Sequence, residues 1–278
     1  MISGDNIRDY HSRMKRADVR GIETAFQEAG TGAPVVLLHG YPFNSSMWIE
    51  QVESLRARVR VLTPDLRGLG QSTLSSGPVT MEEMAKDTVA LMDKLGIERA
   101  VVGGLSMGGY VTLAFYRLFP ERVRALILAD TRAQADTEEG RRTREEQALK
   151  ALSEGMNPIA EAMLPKLLSQ ATLSEQPEIA ARVREMMTAT NPAGAAAAQR
   201  AMAGRQDHTD FISQILVPTL IIVGSEDPIT PVKDSELMHE RVRGSRLHVI
   251  DGAAHVSNIE RPVEFNSALE EFLDSLQP

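Results

Sequence analysis

The chain has 278 residues, and 30 Lys+Arg against 38 Asp+Glu leave a net charge of −8, which argues against a nucleic-acid partner. It has no cysteine, so disulfides and thiolate metal sites are excluded. No apolar run approaches the roughly 18 residues that span a bilayer. Asp5, Arg8 and Asp9 interrupt any secretory signal, so a cytoplasmic protein without membrane contact is expected. The length suits one large domain, or a domain carrying an insertion.

Residues 13–29 read as two strands joined near Gly21. After a turn at 30–34, Val35, Val36, Leu37 and Leu38 form the unbroken apolar run of a strand covered on both faces, ending at His39, Gly40, Tyr41 and Pro42. A further strand at 59–62 runs into Asp65, Arg67, Gly68, Gly70 and Ser72. Residues 81–95 have helical periodicity, with Thr80 as N-cap and Glu83 completing a capping box. A short strand at Val101 and Val102 and a longer one at 123–129 come next, the second ending at Asp130. This alternation predicts an α/β architecture, a mostly parallel central sheet flanked by helices, with reactive groups at the carboxyl ends of its strands.

From 131 to 211 strand-like runs vanish. Ala, Glu, Arg, Gln and Met dominate, punctuated by Pro158, Pro165, Pro177 and Pro192. The spacing predicts several short helices forming a lid inserted between sheet strands, so that 1–130 and 212–278 make the core and 131–211 the cap. Arg141, Arg142 and Arg144 stand among Glu138, Glu139, Glu145 and Glu146, as on a solvated helical face. Met156, Met163, Met186, Met187 and Met202 suit either an adaptable apolar pocket or ordinary helix packing. The sheet resumes at 216–223, with Glu226 and Asp227 just beyond. A helix at 235–242, a strand at 246–250, a loop holding His255 and a closing helix at 262–276 complete the chain.

The chemistry centres on Gly104, Leu105, Ser106, Met107 and Gly108, a G-x-S-x-G pattern between a strand and a helix. A serine at the apex of such a turn is pushed out of the sheet with the unpaired N–H groups of a helix start behind it, although a plain glycine-rich loop has the same composition. A serine hydroxyl needs a base, and the base needs a carboxylate. Of the six histidines, His11, His39, His208, His239 and His248 fall in segments that suit packing or surface roles, while His255 comes after the last strand. Asp227 keeps the order Ser, Asp, His; Asp130 is its main rival and Glu226 a lesser one. Acyl transfer also needs oxyanion donors, here the backbone N–H groups of Tyr41 and Met107. Gly40, Trp48 and Arg132 are assigned to the substrate pocket, Trp48 having packing as its alternative, and Tyr41 is a second candidate wall.

With these residues in place, the chain resembles the α/β-hydrolase family. The resemblance is carried by Gly104 to Gly108, His39 to Pro42, the run from Asp65 to Ser72, Asp227 and His255. Within that family it is most similar to small esterases and 3-oxoadipate enol-lactonases, through 104–110 and the tail His255, Asn258, Glu260, Pro262. The resemblance implies a Ser106, Asp227, His255 triad, no cofactor and no metal, acting on a small-molecule ester. Relatives that cleave carbon–halogen bonds or epoxides carry Asp where this chain has Ser106. A serine carboxylesterase is the expected function. A lactonase with Arg132 as cationic anchor is the alternative within enzymes, and a slow-turnover small-molecule receptor is the alternative outside them.

Overall fold

A computed structural model of the chain describes residues 14–276; Asp5, Arg8, Asp9 and His11 lie outside the described residues. The first two strands, β1 (Lys15–Val19) and β2 (Ile22–Ala29), turn through Arg20 at φ 51° and Gly21 at φ 78°, both in the left-handed region that a two-residue hairpin demands. β3 (Pro34–Leu38), β4 (Arg60–Pro64), β5 (Ala100–Leu105), β6 (Val123–Ala129), β7 (Thr219–Gly224) and β8 (Arg246–Ile250) join them. The described residues form one eight-stranded sheet in the order β1-β2-β4-β3-β5-β6-β7-β8. β2 is antiparallel to both its neighbours and all the other pairings are parallel.

The sheet is covered on both faces because its strands are apolar in both directions. On β3, Val36 and Leu38 join one buried cluster and Val35 and Leu37 the other, as the two-residue period of a strand requires. Helices α1 (Ile49–Leu55), α2 (Met81–Lys94) and α3 (Met107–Leu118) supply much of that cover. Thr80 accepts the Glu83 N–H at 3.1 Å and caps α2, but the reciprocal half of the capping box is absent. The two Glu83 oxygens instead bind Arg20 at 2.7 Å and Lys86 at 2.8 Å, since opposite charges outcompete a neutral N–H for a carboxylate.

Five helices among the described residues lie between β6 and β7: α4 (Glu138–Glu154), α5 (Asn157–Leu167), α6 (Gln170–Glu175), α7 (Pro177–Thr188) and α8 (Pro192–Ala203). Pro158, Pro177 and Pro192 occupy first turns, where no N–H is needed, whereas Pro165 lies inside α5 rather than breaking it. Two boundaries differ from expectation by three residues. β7 begins at Thr219 rather than 216, because Pro218 has no N–H to give a ladder and Leu216 is 90% exposed. α9 (Val232–Arg241) begins directly after Pro231 rather than at 235. The chain closes with α10 (Ser257–Glu260) and α11 (Pro262–Ser275), which lays Phe265, Leu269 and Phe272 into the core. Among the described residues no helix is long and apolar enough to cross a membrane.

Candidate active site

β5 and α3 meet at Ser106, whose φ of 55° and ψ of −113° place a non-glycine residue in strained territory. The main chain holds it there. Ser106 N–H donates to Ala129 O at 2.9 Å, and Ser106 O accepts from Thr131 Oγ1 at 2.8 Å. The flanking glycines are demanded by close approach: a Cβ on Gly104 would collide with the Gly108 main chain, and one on Gly108 with the Leu38 carbonyl.

His255 reaches this serine from the loop beyond β8. Its Nε2 lies 2.8 Å from Ser106 Oγ and its Nδ1 2.8 Å from Asp227 Oδ2. Asp227 Oδ1 is itself occupied by the N–H groups of Ile229 at 2.8 Å and Thr230 at 3.0 Å, and Thr230 Oγ1 donates to Oδ2 at 2.7 Å. Burial pushes the Asp227 carboxyl up, but the His255 ring and these donors outweigh it and hold the group below its ordinary value. The His255 loop is clamped on both sides. Buried Glu260 accepts from Ala254 N–H at 2.6 Å and from Ser169 N–H at 2.8 Å, and Val256 N–H donates to Leu167 O at 3.2 Å. Asn258 donates to Met47 O at 2.9 Å.

The rival groups point elsewhere. Asp130 accepts from Gly224 N–H at 2.9 Å and bonds Ser257 Oγ at 2.6 Å, so it ties the ends of β6 and β7 to the segment after His255. Burial, and then the neighbouring Asp227 charge, push its carboxyl well above the ordinary range. Glu226 is exposed. His39 is fully buried, accepts Leu66 N–H at Nε2 (2.9 Å), and sits below its usual pKa because burial disfavours the charged ring. His208 is buried beside Phe211, His239 bonds Ser245 at 2.8 Å, and His248 lies exposed on the edge strand β8.

Among the described residues, neither the Tyr41 nor the Met107 N–H is paired with a protein acceptor. A cavity of about 530 Å³ opens over Ser106 and His255, bounded by core residues such as Tyr41 and Tyr110 and by insertion residues from α4, α5 and α8. Arg132 lines it and binds Asp136 at 2.8 Å. Gly40 lies beneath the nucleophile rather than in the cavity wall: a Cβ there would stand 3.2 Å from Leu105 O and 3.5 Å from Ser106 Cβ. Trp48 is not a pocket wall. It is 0% exposed and packs on Phe265, ring centroids 6.1 Å apart, because the 3₁₀ turn at Ser45–Trp48 directs it toward α11. Of the methionines, Met163 and Met202 line the cavity, while Met156, Met186 and Met187 are buried in the clusters that hold the helices.

Several cavity groups escaped the sequence reading. Arg144 is half-buried and faces inward, unlike the exposed Arg141 and Arg142, because it binds Asp136. Asp136 also binds Arg205 at 2.8 Å, and Arg205 stacks over the Tyr110 ring at 4.2 Å. Burial raises Asp136, but the Arg205 and Arg144 guanidiniums prevail and hold it well below its ordinary value. The signal was the i, i+4, i+7 spacing of Gly140, Arg144 and Gln147, one face of α4. Among the described residues no cluster of three or more His, Cys, Asp or Glu is arranged to hold a metal.

A family model described as the alpha/beta hydrolase fold matches residues 33–262. The chain belongs to the α/β-hydrolase family. This α/β hydrolase is similar to 3-oxoadipate enol-lactonase 2 of Acinetobacter baylyi, at 31% identity over 82% of this chain and 83% of that one. It superposes on a malate-bound thermophilic esterase from Thermogutta terrifontis with a TM-score of 0.92 and 39% identity, covering 95% of this chain and 99% of that one. An enol-lactonase from Burkholderia xenovorans gives a TM-score of 0.88 at 31% identity, covering 94% and 100%.

Proposed function

We propose that this α/β hydrolase is a serine carboxylesterase that cleaves small carboxylic esters through an acyl-enzyme on Ser106. The observation that carries this reading is the unbroken relay from Ser106 Oγ through His255 to Asp227, each link 2.8 Å. Asp227 accepts a hydrogen bond from Nδ1–H, which fixes the proton there and leaves Nε2 as an acceptor facing the hydroxyl. As Oγ attacks the ester carbonyl, Nε2 takes its proton, and the Asp227 charge steadies the imidazolium. The tetrahedral oxygen is held by the N–H groups of Tyr41 and Met107. Collapse expels the alkoxide, which takes the proton back from His255; water then repeats the sequence and frees the acid. The helical insertion acts as a lid over the cavity, which sets substrate size.

The test is a panel of p-nitrophenyl esters of increasing acyl length on wild type and Ser106→Ala. Turnover should fall by about three powers of ten or more, with an unchanged melting temperature. Near-normal turnover by Ser106→Ala would refute the mechanism. A lactonase is the second reading, favoured by Arg132, Arg144 and Lys166 along the cavity and by the enol-lactonases among the relatives. Faster hydrolysis of an acidic enol-lactone than of short acyl esters would select it. Fast multiple turnover without a partner protein separates either enzyme from a receptor.

A further inference from the structure

The residues on either side of His255 are both tied to the inserted helices. Ala254, one position before it, donates its N–H to Glu260 Oε1 at 2.6 Å, and Glu260 Oε2 accepts from Ser169 N–H at 2.8 Å. Val256, one position after it, donates its N–H to Leu167 O at 3.2 Å. Leu167 ends α5, and Ser169 caps α6 by accepting Thr172 N–H at 3.2 Å through its hydroxyl. The junction is closed to solvent, with Leu167, Leu168, Ser169 and Glu260 each 3% exposed or less. α5 also faces the substrate space, since Ala162, Met163 and Lys166 line the cavity. One helix therefore touches both the cavity and the loop that carries the base.

Glu260 lies outside the cavity lining and outside the relay. Its two oxygens each receive one main-chain N–H, which a neutral amide of the same shape cannot do, because one of its two ends is itself a donor. Proton transfer needs His255 Nε2 within hydrogen-bond reach of Ser106 Oγ, and misplacing a catalytic group by about 1 Å costs on the order of a hundredfold in rate. We propose that Glu260 is a positioning residue, the link through which α5 and the segment 167–169 set where the His255 ring meets Ser106. The inference rests on the reading of Ser106 as an ester-cleaving nucleophile. The insertion then does more than bound the cavity: it holds the base in register from behind.

The test measures kcat and KM on p-nitrophenyl butanoate, at a temperature where melting curves show each variant folded. In Glu260→Gln one of the two N–H groups meets an NH₂ instead of an oxygen. Acylation and deacylation both use His255, so kcat should fall by about tenfold or more while KM stays within about twofold. Ser169→Pro cuts the same link from the insertion side and should do likewise. Ser169 already has φ −63° and Leu168 is extended, so the ring fits the backbone and removes the N–H that Glu260 receives. Ser169→Ala keeps that N–H and loses only the hydroxyl cap of α6, so it should keep the wild-type kcat. Wild-type kcat in folded Glu260→Gln or in Ser169→Pro overturns the proposal, as does a rise in KM with kcat unchanged. A loss in Ser169→Ala equal to that in Ser169→Pro also overturns it, leaving α6 stability as the cause. Should Glu260→Gln fail to fold, the two Ser169 variants decide. Ser106→Ala is run on the same ester. If it abolishes turnover, a wild-type kcat in the Glu260 and Ser169 variants rejects the link alone; if turnover survives, the nucleophile reading falls.

Discussion

Replacing Asp227 by Asn asks what a carboxylate does here that an amide of the same shape does not. Two main-chain N–H groups, from Ile229 and Thr230, point at Oδ1, so the asparagine must keep its oxygen there. Its NH₂ then takes the Oδ2 position, 2.8 Å from His255 Nδ1, where Thr230 Oγ1 turns from donor to acceptor. Facing a donor, Nδ1 gives up its proton to Nε2. Nε2, 2.8 Å from Ser106 Oγ, becomes a donor itself and no longer accepts the hydroxyl proton. A wrong tautomer in an otherwise intact site costs about 10⁴ in kcat, or roughly 5 kcal/mol of barrier at about 1.4 kcal/mol per power of ten. Initial rates on p-nitrophenyl butanoate, with a melting curve on the same sample, make the assay. A fall in kcat of less than tenfold at an unchanged melting temperature would refute the tautomer argument.

Two further substitutions read the stability of the scaffold. Gly194 lies in the first turn of α8, where Ala is worth about 1 kcal/mol in helix propensity. A Cβ there, however, would collide with the main-chain oxygen of Gly68 on the core. Overpacking costs about 1–3 kcal/mol, so Gly194→Ala should lower the melting temperature by a few degrees, and a rise would show that α8 is not held against the core there. For Asp130, burial and the Asp227 charge raise the folded carboxyl above its unfolded value. That raised value makes its ionisation a cost to the native state, absent below the unfolded pKa and growing as pH climbs toward the folded one. Asp130→Asn, which keeps an acceptor for Gly224 and gains a donor for Ser257, should therefore gain stability over wild type between pH 5 and pH 8. Melting curves at the two pH values measure the difference, and a gap that shrinks with rising pH contradicts the assignment.

The alternating strands and helices were legible in the sequence because they rest on local periodicity: β3 and β5 are short unbroken apolar runs, and α2 repeats its buried positions at helical spacing. Ser106, Asp227 and His255 were legible as a set because each comes just after a strand, and parallel strands deliver their succeeding loops to one edge of the sheet. Trp48 was not legible, since a four-residue 3₁₀ turn has too little period to say which way its side chain points.

The polar strip of Arg144, Gln147 and Gln199 is a matter of tertiary structure for the same kind of reason. Its members sit on two different helices, and charge alone reads Arg144 as solvated until Asp136 is brought under it. The order of residues by itself determines the sheet, the serine at its strained turn and the histidine and carboxylate after later strands. The packed molecule adds the 2.8 Å contacts among them and the clamp of Glu260 behind His255. Periodicity acts over neighbouring turns of one segment, whereas these contacts join segments separated by up to 149 positions, and chain geometry alone does not encode which side chains meet once the helices close over the sheet.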